Sequence, residues 1–482
     1  MKNGKFKDFQ YIFYPRSIAV VGASTDRSKS GTRYLDALIN SGFKGDLYPV
    51  NPGGGEILGL KAYKNLTLIP GIVDYVIISV PSRFIPTLLD DAATKGVKAV
   101  QMFTAGFSET NEKEGIELEN KIVEKAKNGG FRIVGPNCIG VYSPAHRVPY
   151  GMKYIPADAG SVAFISHSGG VAGSLVTDGI SRGIRFSKVV SYGNACDINE
   201  SDLLEYFAAD ADTKIIIAYI EGVRDGKRFA QVLSKCAKTK PVIVFKGGIT
   251  EGGARAAVSH TGALAGGALV WDRLLYQAGA IRVSSLDELV DMAVTFTYLP
   301  LPLGKKAGIL GVGGGATVLA TDDCISAGLM VPRFSRKIQG KLRDNLPKGN
   351  VGVGLSNPVD LSDQLWGVLY NCAKTILGYE EIDMLIYHLH LGGWAPFAPD
   401  KHTAALISSA TEVIRAHHES SKPMAVIIHG ANSRYSQEVA FKLEQVYCQA
   451  GLPVYLSQSS AAKAIIRFID YHERVRPNSL SS

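Results

Sequence analysis

Val162-Ala-Phe-Ile-Ser-His-Ser-Gly-Gly170 passes within nine residues from a short apolar run to two serines and a glycine pair. The helix-like Val171-Ala-Gly-Ser-Leu-Val176 follows at once. A strand buried on both faces has such an apolar run, and a glycine turn into a helix completes the opening of an α/β unit. The same device recurs at Ile18-Ala-Val-Val-Gly-Ala-Ser24 and at Ala307-Gly-Ile-Leu-Gly-Val-Gly-Gly-Gly315. Between them, Asp46–Asn51, Tyr75–Val80, Ala99–Phe103 and Phe131–Val134 have the pattern of further strands. Proline-bearing connectors, Ser143-Pro-Ala-His-Arg-Val-Pro149 with Tyr154-Ile-Pro156 and Leu299-Pro-Leu-Pro-Leu303, punctuate the chain. The expectation is an α/β protein of three doubly wound, parallel-sheet domains spanning 1–150, 151–303 and 304–482.

Composition narrows the class. A chain of 482 residues with 46% hydrophobic and 20% charged residues has the balance of a multi-domain globular protein. The net charge of +8 is spread without an arginine-rich block, which argues against nucleic acid as a partner. Six separated cysteines form no C-x-x-C pair, so neither a zinc site nor a disulfide framework is expected. No signal core precedes the first strand, and no apolar run approaches the ~18 residues that span a bilayer. A cytoplasmic location and no bound metal in this chain are expected.

Three segments carry chemistry. Gly22-Ala-Ser-Thr-Asp-Arg27 offers turn amides to a phosphate, and the strand ends Asn51-Pro52, Val80-Pro81, Phe103-Thr-Ala-Gly106 and Gly135-Pro-Asn137 should meet beside it. At Ser166-His-Ser-Gly-Gly170, hydroxyls and amides stand at a helix start, a compact anion site, although one serine is also a natural helix cap. Glu221 ends the apolar run Lys214-Ile-Ile-Ile-Ala-Tyr-Ile-Glu221 and so should face the crevice. Lys246–Gly267 holds seven glycines and five alanines in 22 residues around His260. A nucleophilic imidazole in so unhindered a backbone suits a group carrier. Asp202-Leu-Leu-Glu205 has the form of a capping box. His167, His388, His390 and His402 lack metal-ligand spacing and are taken as structural, and the third glycine turn (311, 313–315), without a nucleophile, as part of a scaffold.

Together these segments resemble the nucleoside-diphosphate-forming acyl-CoA synthetases, the superfamily of ADP-forming acetate–CoA ligase and succinyl-CoA synthetase. The resemblance is carried by Thr250-Glu-Gly-Gly-Ala-Arg-Ala-Ala-Val-Ser-His-Thr-Gly-Ala-Leu-Ala-Gly266, Gly193-Asn-Ala-Cys-Asp-Ile-Asn-Glu-Ser-Asp-Leu-Leu-Glu-Tyr206, Gly135-Pro-Asn-Cys-Ile-Gly140 and Ser356-Asn-Pro-Val-Asp-Leu361. It implies a Rossmann-like CoA-binding domain followed by two flavodoxin-like ligase domains, as in the α subunit. By resemblance His260 is the phosphorylated histidine and Glu221 its supporting carboxylate, with Ser166, Ser168, Gly169 and Gly170 holding phosphate. CoA contacts fall on Gly22, Ala23, Ser24, Arg27, Asn51, Val80, Pro81, Thr104, Ala105 and Asn137. No ATP-grasp-like stretch is present. The resemblance therefore implies a separate β subunit carrying ATP or ADP with Mg, in an α2β2 assembly. This chain departs from the pattern at Gly53–Gly55, at His167 in place of a more usual glutamine, and at Ile249. Rival readings are an acyl-CoA-sensing regulator, or a CoA-dependent enzyme lacking the nucleotide half-reaction.

Overall fold

A computed structural model describes residues 6–153, 155, 158–253, 255, 267–347, 354–361, 367–392 and 399–475. The chain divides into two compact units, Met1–Ile180 with Arg185–Leu289, and Ser181–Ile184 with Val290–Ser482.

The first unit holds two sheets. Strands β1 (Ser17–Val21), β2 (Asp46–Val50), β5 (Tyr75–Ile78), β6 (Ala99–Met102) and β7 (Arg132–Val134) form one, in the order β2-β1-β5-β6-β7, with all neighbours parallel. A two-stranded ribbon, β3 (Glu56–Ile57) and β4 (Leu60–Lys61), hangs beside it. The second sheet comprises β8 (Gly140–Tyr142), β9 (Val162–Ser166), β10 (Phe186–Ser191), β11 (Ile215–Ile220), β12 (Val242–Lys246) and β13 (Ile281–Val283), in the order β13-β12-β11-β9-β10-β8. Strand β8 departs from the expected parallel arrangement and pairs antiparallel with β10. It lies at the edge of the sheet, ahead of the β9–β13 succession, and an edge strand outside the crossover units commonly runs antiparallel on an otherwise parallel sheet. In both sheets the order reverses beside the first central strand, at β1/β5 and at β9/β11, and such reversals open a crevice at the carboxyl ends of the strands.

One apolar core runs under both sheets, from Ile18, Tyr75 and Val134 to Ile165, Leu204 and Ile216. The helix Lys7–Phe13 contributes Phe9 and Phe13, whose rings stack on Tyr206 at 4.6 and 5.1 Å. Tyr206 lies on the helix Glu200–Ala209, which begins earlier than the expected capping box at Asp202–Glu205. Asn199 is the cap, and its side chain accepts from the Ser201 and Asp202 amides while Asp202 returns a bond to the Asn199 amide. A caesura at Asn199 suits the chain because Asn adopts the extended cap conformation readily.

Lys188 is buried in the middle of β10. Its ammonium donates to Asp210 at 2.8 Å, and Asp210 also accepts from the Thr213 hydroxyl at 2.6 Å. Burial alone would lower the Lys188 pKa, but the bonds to Asp210 and Tyr14 outweigh it and hold the pKa above the usual value.

In the second unit, β14 (Ala307–Val312), β15 (Val359–Leu361), β16 (Met384–His390), β17 (Met424–His429) and β18 (Val454–Tyr455) form a parallel sheet in the order β15-β14-β16-β17-β18. The Ser356–Leu361 motif does structural work there. Asn357 donates to the carbonyls of Ala307 and Pro332 and accepts from the Ile309 amide, while Asp360 accepts the Gly313 amide at 2.9 Å. Arg182 is buried in this unit against Asp291 and the Val454 carbonyl.

Removing one partner of a buried ion pair leaves an uncompensated charge. Lys188→Ala is expected to destabilise the first unit by about 3–5 kcal/mol. The double variant with Asp210→Ala should cost less than the two single variants added together. Urea unfolding followed by a probe in the first unit measures both, and strict additivity would contradict the pairing.

Candidate active site

A cavity of about 590 Å³ lies within the first unit, at the carboxyl ends of both its sheets. Its floor is built by the first sheet, whose bonding pattern continues past the strands. The Gly22 amide donates to Val50, Ser79 to Val21, Phe103 to Ile78 and Asn137 to Thr104, at 3.0–3.1 Å. Gly22 has φ +97°, and a β-carbon there would stand 2.3 Å from the Ser79 carbonyl oxygen. Only glycine fits that turn. Thr104 points its hydroxyl at the Val80 carbonyl, 2.7 Å away, and so fixes two adjoining strand ends.

The opposite wall is the start of the helix Gly169–Ser181. Ser166 is fully buried, and its hydroxyl donates to the Ser168 carbonyl at 2.7 Å. Ser168 caps the helix, accepting the Val171 amide at 3.4 Å. The amides of Gly169 and Gly170 belong to the first turn, where a helix has no internal acceptors to offer. Tyr150 steadies this turn by donating to the Gly169 carbonyl at 2.9 Å.

Of the residues expected to bind CoA, Val80, Pro81, Thr104, Ala105 and Asn137 line the cavity. Gly22 supports the floor from beneath, against Ser79 and Val80. Asn51 spends its amide group on local structure, donating to the Ala23 carbonyl and accepting the Gly53 amide. The Ser24 amide is bonded to Thr32, and Arg27 is exposed on the loop beyond. Of the residues expected to hold phosphate, Ser168, Gly169 and Gly170 line the cavity, whereas Ser166 shapes the turn behind them. His260 lies outside the described residues.

Glu221 follows β11 directly and is buried. Its amide donates to Nδ1 of His167 at 3.3 Å and its carbonyl accepts from Lys246 at 2.7 Å. Burial, reinforced by the nearby Glu221 carboxylate, raises the pKa of the Tyr219 hydroxyl. The structure brings forward two groups to which sequence reasoning gave no chemical role. His167, set aside as structural, is a wall of the cavity. Lys246 ends β12 in register with Ile220, beside Glu221, with its ammonium 5.2 Å from the Trp271 ring. A lysine closing the otherwise apolar run Val242-Ile-Val-Phe carried the same signal as Glu221.

The cavity thus joins two different surfaces, one built of strand-end turns and the other of a helix start. Each has its counterpart among known proteins. A family model described as a CoA binding domain matches residues 16–144, and one described as a succinyl-CoA ligase like flavodoxin domain matches 159–296. The fold and site therefore define a CoA-dependent ligase. The α subunit of acetate–CoA ligase (ADP-forming) II from Pyrococcus furiosus is 37% identical over 96% of this chain and 98% of its own. The α subunit of the ADP-forming enzyme I from the same organism is 36% identical, over 94% and 96%. A solved Korarchaeum cryptofilum dinucleotide-forming acetyl-coenzyme A synthetase 1, in complex with phosphate and ADP, is 31% identical with a TM-score of 0.82, covering 97% of each chain. The chain belongs to the ADP-forming acyl-CoA synthetase family. No described helix is long and apolar enough to cross a membrane.

Burial pushes the Lys246 pKa down to about 8, against the opposing pull of Glu221. Below pH 8 both folded and unfolded chains are protonated at this group, and the folded chain carries the cost of a buried charge. Between pH 8 and the unfolded value of about 10.4 the unfolded chain binds more protons, so this group makes stability rise with pH. The stability difference between the parent chain and Lys246→Met should therefore shift in favour of the parent across that window. Denaturation at several pH values reads this, and a flat or falling difference would show that Lys246 is not titrating there.

Proposed function

We propose that this chain is the α subunit of an ADP-forming acyl-CoA synthetase, interconverting acyl-CoA, ADP and phosphate with carboxylate, CoA and ATP. The observation that carries the reading is the single cavity walled by Val80, Pro81, Thr104, Ala105 and Asn137 on one side and Ser168–Gly170 on the other. CoA bound on the first surface brings its thioester to an anion held on the second. In the proposed division of the chain, 1–150 binds CoA, 151–303 carries the ligase chemistry, and 304–482 is an associated scaffold.

A phosphate oxygen attacks the thioester carbonyl, the C–S bond breaks, and acyl phosphate and the CoA thiol result. The amides of Gly169 and Gly170 stabilise the anion at the helix start. His260 then takes the phosphoryl group from acyl phosphate, releasing the carboxylate, and carries it to ADP. Glu221 holds the imidazole and stabilises its positive charge. Covalent transfer divides one displacement into two positioned ones. Gly22, Ala23, Ser24, Arg27 and Asn51 complete the CoA surface as turn and rim, and Ser166 braces the phosphate turn. The nucleotide and its Mg belong to an ATP-grasp β subunit, in an α2β2 assembly. The α-subunit names of the Pyrococcus furiosus relatives support a partner. So does a Methanocaldococcus jannaschii acetate–CoA ligase (ADP-forming), 40% identical over 74% of this chain, which this chain spans for only 50% of its length.

Two outcomes test the proposal. Incubation with acetyl-CoA and radiolabelled phosphate should give an acid-labile, base-stable protein label that His260→Ala abolishes; persistence of that label in the variant would remove His260 from the mechanism. The chain on its own should bind CoA yet form no ATP from ADP, and an ATP-grasp subunit should restore synthesis. ATP formation at a normal rate by the chain alone would place the nucleotide site here and sink the subunit assignment.

A further inference from the structure

We infer that Ile139 is the specificity-determining wall of the acyl pocket, where it selects apolar acyl groups and limits their size. The inference rests on the proposed acyl-CoA synthetase reading. The run Asn137-Cys-Ile139 lines the cavity and crosses from one of its surfaces to the other. Asn137 donates its amide to the Thr104 carbonyl at 3.0 Å, and Ile139, two residues on, packs against Gly169. A β-carbon on Gly169 would stand 2.3 Å from Cγ1 of Ile139, so this side chain occupies the space beside the first residue of the helix. The backbone of Ile139 is bonded into the core. Its carbonyl accepts from the Tyr34 hydroxyl and the Gln101 amide group, each at 2.9 Å, and its own amide donates to the Ser191 hydroxyl at 3.4 Å. All three partners are buried. Ile139 itself is only half-buried, so the surface it leaves to the cavity is hydrocarbon.

An acyl phosphate held at the amides of Gly169 and Gly170 carries its acyl chain only a bridging oxygen and a carbonyl carbon away, within reach of this side chain. The wall is also rigid. A β-branched side chain has few rotamers, and here the two γ-carbons lie against different glycines. Cγ1 meets Gly169, and Cγ2 meets Gly151, where a β-carbon would stand 2.4 Å away. Swinging aside to admit a larger group would break both contacts in a close-packed region. Among the described residues lining the cavity there is no arginine or lysine. A second carboxylate on the acyl chain would therefore meet hydrocarbon without a counter-charge.

In the complete enzyme with its partner subunit, kcat/KM is measured for acetyl-, butyryl- and succinyl-CoA with ADP and phosphate. Butyryl and succinyl have the same number of carbons and differ in a terminal methyl against a carboxylate. The parent enzyme should use butyryl-CoA better than succinyl-CoA by about 100-fold, and equal use of the two overturns the apolar class. Ile139→Ala should raise the butyryl-to-acetyl ratio by about tenfold or more, because room for one methylene is worth that much in an apolar pocket. KM for phosphate should stay within threefold. Ile139→Val removes only Cδ1 and keeps both glycine contacts, so it should fold as the parent does and move the ratio the same way by a smaller factor. It decides the matter where Ile139→Ala does not fold. A ratio that stays at the parent value in the folded variants overturns the assignment. So does a loss shared equally by acetyl- and butyryl-CoA, because Ile139 would then be only a brace for the helix start. Absence of turnover of every acyl-CoA by the parent enzyme would instead overturn the acyl-CoA synthetase reading itself.

Discussion

The site depends on how the loop after β10 is pressed onto the strand ends of the first sheet. Asp197 performs the clamping. Its carboxylate accepts from Nε and Nη2 of Arg132 at 2.9–3.1 Å and from the Ile133 amide at 2.7 Å. A bidentate guanidinium pair with an added amide is among the stronger arrangements a half-buried carboxylate can make. A second group of bonds lies beside it, in which Arg224 donates to Glu119 and to the Asn194 carbonyl, and Asn194 donates to Glu119. Close approach is then possible only because position 193 has no side chain. A β-carbon on Gly193 would stand 2.2 Å from the Pro136 carbonyl oxygen and 2.4 Å from that of Asn137. Separated by a few ångströms more, the strand-end surface and the helix start would no longer share one cavity.

Much of this was legible because local chemistry and global topology agree. The apolar runs ending in small residues mark the central strands, and their carboxyl ends hold the cavity as the crevice rule for doubly wound sheets requires. Glu221 stood out because a carboxylate at the end of an apolar run is conspicuous, and the structure buries it beside His167 and Lys246. The antiparallel strand β8 did not, since Gly140-Val-Tyr142 is too short to carry a period and lies at the sheet edge, outside the succession of crossover units. The helix cap moved from Asp202 to Asn199 for a related reason. Both spacings satisfy the cap pattern, and tertiary contacts decide between them. His167 was noted as a departure from a more usual glutamine beside the phosphate turn, yet was read as structural because histidine spacing signals metal sites alone. Its place in the cavity wall comes with the turn after β9, and its Nδ1 meets Tyr192 and the Glu221 amide, 25 and 54 residues away.

The segments that carried the family resemblance separate into two kinds once their contacts are known. Gly135–Asn137 and Gly193 build the cavity itself. Ser356–Leu361 pins β14 and the Gly313 turn of the second unit through Asn357 and Asp360. A short motif shared across a family is therefore as well explained by an unusual backbone that needs a side-chain brace as by chemistry.

On the proposed mechanism, Lys246 sets the range of the carrier. Its ammonium is bonded to the carbonyls of Gly247 and Glu221 and sits over Trp271 in the helix Ala268–Ala278. One buried cation thus holds the residue from which the 247–267 segment departs and the helix to which it returns. His260 is seven residues from Gly267, and that shorter arm, fully extended, spans at most about 25 Å. The nucleotide site on the partner must therefore come within that distance of the start of the Ala268–Ala278 helix, or the helix must unwind to lengthen the arm. Unwinding would draw Trp271 away from Lys246 and expose a side chain that is now 4% accessible. The loss of that apolar contact opposes a longer reach, so the anchored geometry favours a partner that brings its nucleotide to the loop.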